Sequence, residues 1–191
     1  MVNDTISIIE AEKSVDEWLP FVRQALINAM VDPKGHRDVG KILALSSEYV
    51  VNNFLMKKTG RPSMIVVGES HDIITTDDST PIRTQVKFRK GDWHFETTRR
   101  NSAKNQGTNS TGHVAYRRNE FDMVAILIPG ETFGISGSKI RLVPVHELIN
   151  PKKQDQLVPR IRVATKRKCD TDENTTHVIE SFYKTRHDPL G

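Results

Sequence analysis

The first regularity along the chain is helical. Val15, Trp18, Leu19, Val22, Leu26 and Met30 recur at spacings of three and four, which places them on one face of a helix. Ser14-Val-Asp-Glu17 has the spacing of a capping box, in which the two side chains satisfy free N–H groups of the first turn. Pro33 and Gly35 end that helix. A second helix is predicted from about Asp38 to Lys58, with Val39, Ile42, Leu43, Tyr49, Val50 and Phe54 as its apolar face and Gly60-Arg61-Pro62 as its stop.

Past Pro62 the runs shorten and turn β-like. Residues 63–67 and 71–76 form two of them, and 77–81 carry turn residues. Ile82 to Phe88 alternates strictly: Ile82, Thr84, Val86 and Phe88 share one face, Arg83, Gln85 and Lys87 the other. Residues 92–97 read as the next strand, and the polar stretch 99–113 reads as an exposed loop. Residues 121–128 are the most apolar strand and are expected at the sheet centre. A strand over 140–145 and a short helix near 146–149 follow. After Pro151 come a basic strand-like piece, 160–165, and an acidic patch with a candidate terminal helix. This order predicts an α/β fold, a mixed central β-sheet flanked by helices. The expected organisation is a helical extension over 1–37, a core over 38–150, and a basic-then-acidic extension over 151–191.

Composition changes this picture little, but charge does. The 191 residues suffice to bury a core without cross-links. No apolar run approaches a membrane span, and the acidic start lacks the basic region of a signal peptide. The single cysteine, Cys169, makes no internal disulfide, so a cytoplasmic setting is expected. The net charge of +4 hides an asymmetry. Residues 83–118 hold nine bases against two acids, residues 139–168 hold the same, and residues 1–33 hold six acids against two bases. Two basic central segments suit a polyanion such as nucleic acid, or else a solvated basic face.

The candidate chemistry lies around the 77–81 turn. A close strand pair across it brings Asp72 to Gln85 and Lys87, which share a strand face. Magnesium takes hard oxygen ligands, and a carboxylate (Asp72), an amide oxygen (Gln85) and a backbone carbonyl (Val86) supply them. A lysine beside such an ion can place a water or offset charge on a reacting phosphate. Each residue also has a plainer reading: Asp72 as a turn former, Gln85 and Lys87 as the polar side of an exposed strand.

An acid followed by Gln-x-Lys on the next strand, after a helix, resembles the PD-(D/E)XK nuclease superfamily. The resemblance spans residues 38–149 and is nearest to the Gln-x-Lys variant found in intron-encoded homing endonucleases and to archaeal Holliday-junction resolvases. It implies a restriction-endonuclease-like core and a Mg²⁺-dependent DNA endonuclease, with Mn²⁺ as a substitute, acting on double-stranded DNA as a homodimer. Asp72, Gln85, Lys87 and Glu48, the last on the preceding helix, are then catalytic. Asp72, Gln85, Val86 and Glu48 are the expected metal ligands. Arg89, Lys90, Arg99, Arg100, Asn101, Lys104, Tyr116, Arg117 and Arg118 are expected to contact nucleic acid, with Tyr116 as easily a packed residue. Two departures stand out. His71 replaces the motif's proline, and Gln85 removes one negative charge that Glu48 or Glu69 could restore. The rival reading is a nucleic-acid-binding module of this fold without activity. His146-Glu147 lacks the second histidine of a zinc protease motif, and Gly134–Lys139 lacks the spacing of a phosphate-binding loop.

Overall fold

The structure is a computed structural model describing residues 7–32, 36–67, 69, 71–76, 81–89, 94–96, 98–100, 113–158 and 160–162. Residues 36–38, 94–96, 98–100, 113–114, 132 and 160–162 are described through their backbone alone. The chain divides into two compact units, Met1–Ile42 and Leu43–Gly191.

In the first unit, helix α1 spans Ile8–Val31. It begins seven residues before the Ser14 capping box would start it. Ser7 is the N-cap: its hydroxyl accepts from the Glu10 N–H, and the Glu10 carboxylate accepts from the Ser7 N–H at 3.0 Å. The same Ser-x-x-Glu spacing occurs at both places, and Ile8 and Ala11 extend the apolar stripe upstream, so the earlier box wins. Pro20 lies inside the helix, and none of the helix's residues is buried.

Helix α2, His36–Thr59, runs from the first unit into the second. Gly60, at φ 65°, takes the left-handed position that ends it, and its N–H donates to the Met56 carbonyl at 3.0 Å. The strands are β1 (Ser63–Ile65), β2 (Ile73–Thr75), β3 (Ile82–Phe88), β4 (His94–Glu96), β5 (Thr98–Arg100), β6 (His113–Ala115), β7 (Met123–Ile128), β8 (Lys139–Pro144), β9 (Ile149–Asn150), β10 (Lys153–Leu157) and β11 (Arg160–Arg162). Five of them form a mixed sheet in the order β1-β2-β3-β7-β8. All its neighbours are antiparallel except β3 and β7, which run parallel. The fold is therefore α/β with a mixed sheet, as the chain's pattern predicts.

Both faces of this sheet are covered. Val51 and Leu55 of α2 pack with Ile73, Ile82, Val86, Met123, Ala125 and Leu127 on one side. Tyr116, Phe121, Val124, Ile126, Val143, Leu148 and Leu157 make the core on the other. Strand β7 feeds alternate residues into each core, which explains its uninterrupted apolar run. It is an interior strand, but β3 is the central one. Fully burying each such aliphatic side chain stabilises the fold by roughly 1.5–3 kcal/mol, so the two cores hold β7 from both sides, while β3 gives Ile82 and Val86 to the first core and keeps its other face for Gln85 and Lys87. Asp122 adds a polar pin. Its carboxylate accepts from the Arg83 backbone N–H at 2.8 Å and lies 3.2 Å from the Arg83 guanidinium.

The remaining strands pair two by two: β4 with β11, β5 with β6, and β9 with β10. The β5–β6 pair, Thr98↔Ala115 to Arg100↔His113, replaces the ends of the stretch expected to be all loop. Its Thr, Arg and His residues carry no apolar alternation that would announce a strand. The short helix expected near 146–149 is a 3-10 turn, Val145–Leu148. Residues 163–191, with the candidate terminal helix, lie outside the described residues.

Candidate active site

Asp72 sits one step before β2, whose first residue, Ile73, pairs with Thr84 of β3. Its own N–H donates to the Thr84 carbonyl at 3.0 Å, so the ladder continues through it and sets its carboxylate beside β3. There Asp72 Oδ2 accepts from the Val86 N–H at 2.6 Å and from the Gln85 side-chain amide. Gln85 Nε2 also reaches the Val86 carbonyl at 3.4 Å. The amide of Gln85, 6% exposed, thus stands between two oxygens, a place that attracts positive charge. Turned about its terminal bond, it would offer its own oxygen to the same point.

Lys87 projects from the same face of β3. Its Nζ donates to the Tyr116 hydroxyl at 3.3 Å and lies 5.1 Å from the centre of the Tyr116 ring. Burial holds the Lys87 ammonium below its ordinary pKa; Asp72 opposes that shift and the nearby Arg89 adds to it. Glu48 comes from the half-buried side of α2. Burial first, and then the charge of Asp72, push its carboxyl above the ordinary value. Burial likewise raises Asp72, against the pull of the Val86 N–H, Lys87, His71 and Gln85. Two acids pushed toward their neutral forms, both by burial and Glu48 also by the charge of Asp72, make an electrostatic deficit that a cation would fill.

The donor set fits magnesium on these grounds. Asp72, the Gln85 amide and the Val86 carbonyl are joined by direct contacts, and Glu48 adds a second negative charge. All are oxygen donors of the kind magnesium takes. Among the described residues no cluster of three or more His, Cys, Asp or Glu forms. Glu69, the other acid offered as a compensating charge, is exposed, whereas Glu48 is half-buried and raised by the charge of Asp72.

A consequence follows for the cation-free protein. A carboxyl whose folded pKa is raised contributes stability that is fully present below its unfolded pKa and lost as pH rises through the folded one. For Asp72 that window opens near its ordinary 3.8 and extends upward. Asp72→Asn is therefore expected to raise the melting temperature at neutral pH in EDTA. Magnesium should raise it for the wild type and leave the variant unmoved, because a ligand stabilises only the state that binds it. Thermal melts with and without Mg²⁺ test this; a variant that melts lower than wild type in EDTA contradicts the charge deficit.

The other expected site residues divide. Tyr116, expected to contact nucleic acid, is 6% exposed, packs edge-on against Phe121 with ring centres 5.1 Å apart, and holds Lys87. Arg117 and Arg118 are exposed next to it. Arg89 is half-buried, with its guanidinium on the Phe88 carbonyl at 2.7 Å. Arg99 and Arg100 are placed through their β5 backbone only, and Lys90, Asn101 and Lys104 lie outside the described residues. Next to Asp72, His71 is 8% exposed, and neither of its ring nitrogens has a hydrogen-bond partner among the described residues. The chain pattern flagged His71 only as a missing proline.

The mixed five-stranded sheet with α2 packed on one face is an α/β arrangement consistent with a restriction-endonuclease-like core. Comparison with solved structures agrees at the level of fold. The chain is similar to a bacterial homing endonuclease, I-Ssp6803I, with a TM-score of 0.51 and 15% identity over 77% of this chain and 97% of that one. A second structure, MepB, has a TM-score of 0.33 at 11% identity, too low to carry an argument. No family model and no curated protein matches the sequence.

Proposed function

We propose that this chain is a Mg²⁺-dependent endonuclease of double-stranded DNA, working with Mn²⁺ as well, and that it acts as a homodimer. The observation that carries the reading is the junction of Asp72, Gln85 and the Val86 carbonyl beside the half-buried Lys87. A magnesium ion held by Asp72, Gln85, Val86 and Glu48 would polarise the phosphodiester and lower the pKa of a bound water. Lys87 then offsets charge that develops on the phosphate oxygens during attack. Arg89, Arg117 and Arg118 bring further positive charge for the backbone. Two active sites related by a two-fold axis cut both strands of a duplex, which one small domain does not do alone. The fold of a homing endonuclease supports the same class of substrate. Incubating mixed DNA substrates with Mg²⁺ or Mn²⁺, and mapping the fragment ends, tests the proposal; absence of metal-dependent cleavage on any of them ends it.

One observation favours a second reading. The Gln85 amide already satisfies Asp72 without a metal, as it would in a nucleic-acid-binding module that cuts nothing. Gln85→Glu separates the two. Restoring a charged ligand is expected to tighten magnesium binding by about tenfold, since one unit charge near the ion gains on the order of 1–4 kcal/mol in partly solvated surroundings. Calorimetric titration measures it, and an unchanged affinity removes Gln85 from the ligand set.

Tyr116 has a narrower role. Tyr116→Phe keeps the ring against Phe121 and under Lys87 but deletes the hydroxyl. Losing one such hydrogen bond costs roughly 0.5–1.5 kcal/mol, so cleavage is expected to fall about three- to tenfold at unchanged DNA affinity. A loss of affinity instead would return Tyr116 to the DNA surface.

A further inference from the structure

Helix α1 carries an apolar stripe that nothing among the described residues buries. Its 24 residues include none that is buried. Counting Ile8 as position a of a seven-residue repeat, the a positions are Ile8, Val15, Val22 and Ala29, and the d positions are Ala11, Trp18 and Ala25. An apolar residue at every a and d over three repeats is the seam of a helix pair, not a random apolar face. Leu19 and Leu26 widen it. Pro20 falls at position f, the point farthest from the seam, where the hydrogen bond it removes and the bend it causes disturb the seam least.

The exposed area is large. Trp18 and Phe21, 67% and 69% exposed, stack edge-on against each other with centroids 6.3 Å apart. With Ile8, Val15, Leu19 and Val22 they leave on the order of 800 Å² of apolar side chain in water, about what one partner buries in a standard interface. A lone helix of this length is marginal without tertiary support, and patches of this size mark interaction surfaces.

The flanking positions identify the partner. Coiled-coil pairs that choose an unlike partner do so with charges at e and g. Here those positions are Glu12, Ser14, Leu19, Phe21, Leu26 and Asn28, so only one is charged and nothing repels an identical helix. Orientation follows from the rest. Glu10, Glu12, Asp16 and Glu17 crowd the first half against the single Lys13, while Arg23 is the one charge of the second. Parallel helices would set the acidic halves side by side and Trp18 against Trp18. Antiparallel ones set them apart, compensate the helix dipoles, and place Trp18 opposite Val22, Val15 opposite Ala25 and Ala11 opposite Ala29.

We propose that α1 pairs antiparallel with α1 of a second copy of this chain through the a/d seam, and that this is the dimer interface. The proposal rests on the two-copy reading above and adds its surface. The test is sedimentation equilibrium of the full chain, wild type against V15E/V22E. Both residues are exposed and neither belongs to the sheet's two cores, so the double variant leaves those cores untouched. The expected result is a wild-type dimer and at least about a hundredfold weaker association of the variant, since each glutamate would lie unpaired in an apolar seam. A variant that dimerises like wild type overturns the α1 interface and leaves the two-copy reading standing; a wild type that stays monomeric overturns both. In a Cys169→Ser background, oxidising a mixture of W18C and V22C chains should give mixed cross-linked dimers, while V22C alone should give few. Efficient cross-linking of V22C alone overturns the antiparallel orientation. Cleavage is a separate readout: V15E/V22E should still nick plasmid but linearise it slowly. If neither protein cuts, the nuclease reading fails and the sedimentation result still decides the interface.

Discussion

Asp72→Asn is expected to lower magnesium-dependent cleavage at least about a thousandfold while DNA affinity stays within about threefold. The substitution is nearly isosteric, and Asn Oδ1 can still accept from the Val86 N–H that Asp72 now holds at 2.6 Å. What is lost is the charge. A metal ion at the scissile phosphate contributes several kcal/mol of transition-state stabilisation, and each 1.36 kcal/mol is tenfold in rate. Of the two acids, Asp72 is the one bonded directly to Gln85 and Val86, so its loss is not offset by Glu48 alone. The proposed DNA contacts, Arg89, Arg117 and Arg118, lie at positions the change leaves as they are. Single-turnover cleavage and gel-shift assays on the same preparation measure the two quantities. Cleavage at the wild-type rate removes Asp72 from the site; equal loss of binding and cleavage makes it a substrate contact.

The parts of this site that were legible in the chain are the local ones. Gln85 and Lys87 are two apart on a strand whose alternation is strict, so their shared face follows from period alone. Asp72 is thirteen residues from Gln85 across a turn, and an antiparallel pair was the simplest way to join them. Glu48 entered through the family resemblance, and its coupling to Asp72 could not be read before α2 was docked on the sheet. The contact of Tyr116 with Lys87 is not readable in the chain, although packing is one of the two readings it offers. Tyr116 is twenty-nine residues from Lys87, and an aromatic near a basic stretch points equally to DNA and to a core. The Arg83–Asp122 pin, thirty-nine residues apart, follows from the parallel β3–β7 pairing, which no local pattern announces.

The fold divides along the same line. Strand β3 was found to the residue because its pattern, buried on one side and chemical on the other, is decided by one strand. Strand β7 was placed at the centre because it is apolar on both faces. An interior strand beside the central one is buried on both faces too, so periodicity could not separate them. The start of α1 is ambiguous in the chain because two Ser-x-x-Glu boxes stand seven residues apart, and none of the helix's residues is buried in a way that would choose between them.

Lys87→Met is expected to slow single-turnover cleavage by about 10²–10³-fold without weakening DNA binding. The alkyl stem stays against Tyr116 and only the ammonium goes. Removing one donor aimed at developing charge typically costs that much in rate. Stability is what separates chemistry from architecture here. Burial holds the folded pKa of Lys87 below its ordinary 10.5. The folded state therefore releases this proton before the unfolded state does, and stability rises with pH between the folded value and 10.5. Below that window the charged form is a cost. Lys87→Met removes that cost, so at neutral pH the variant should melt no lower than wild type and should lack this part of the alkaline rise. The required pattern is slow cleavage in a protein at least as stable, binding DNA as before. A variant that melts lower at neutral pH and loses cleavage in proportion would make Lys87 a strut under Tyr116, and the charge on the reacting phosphate would have to be met by Arg89, the other cation close enough to shift Lys87.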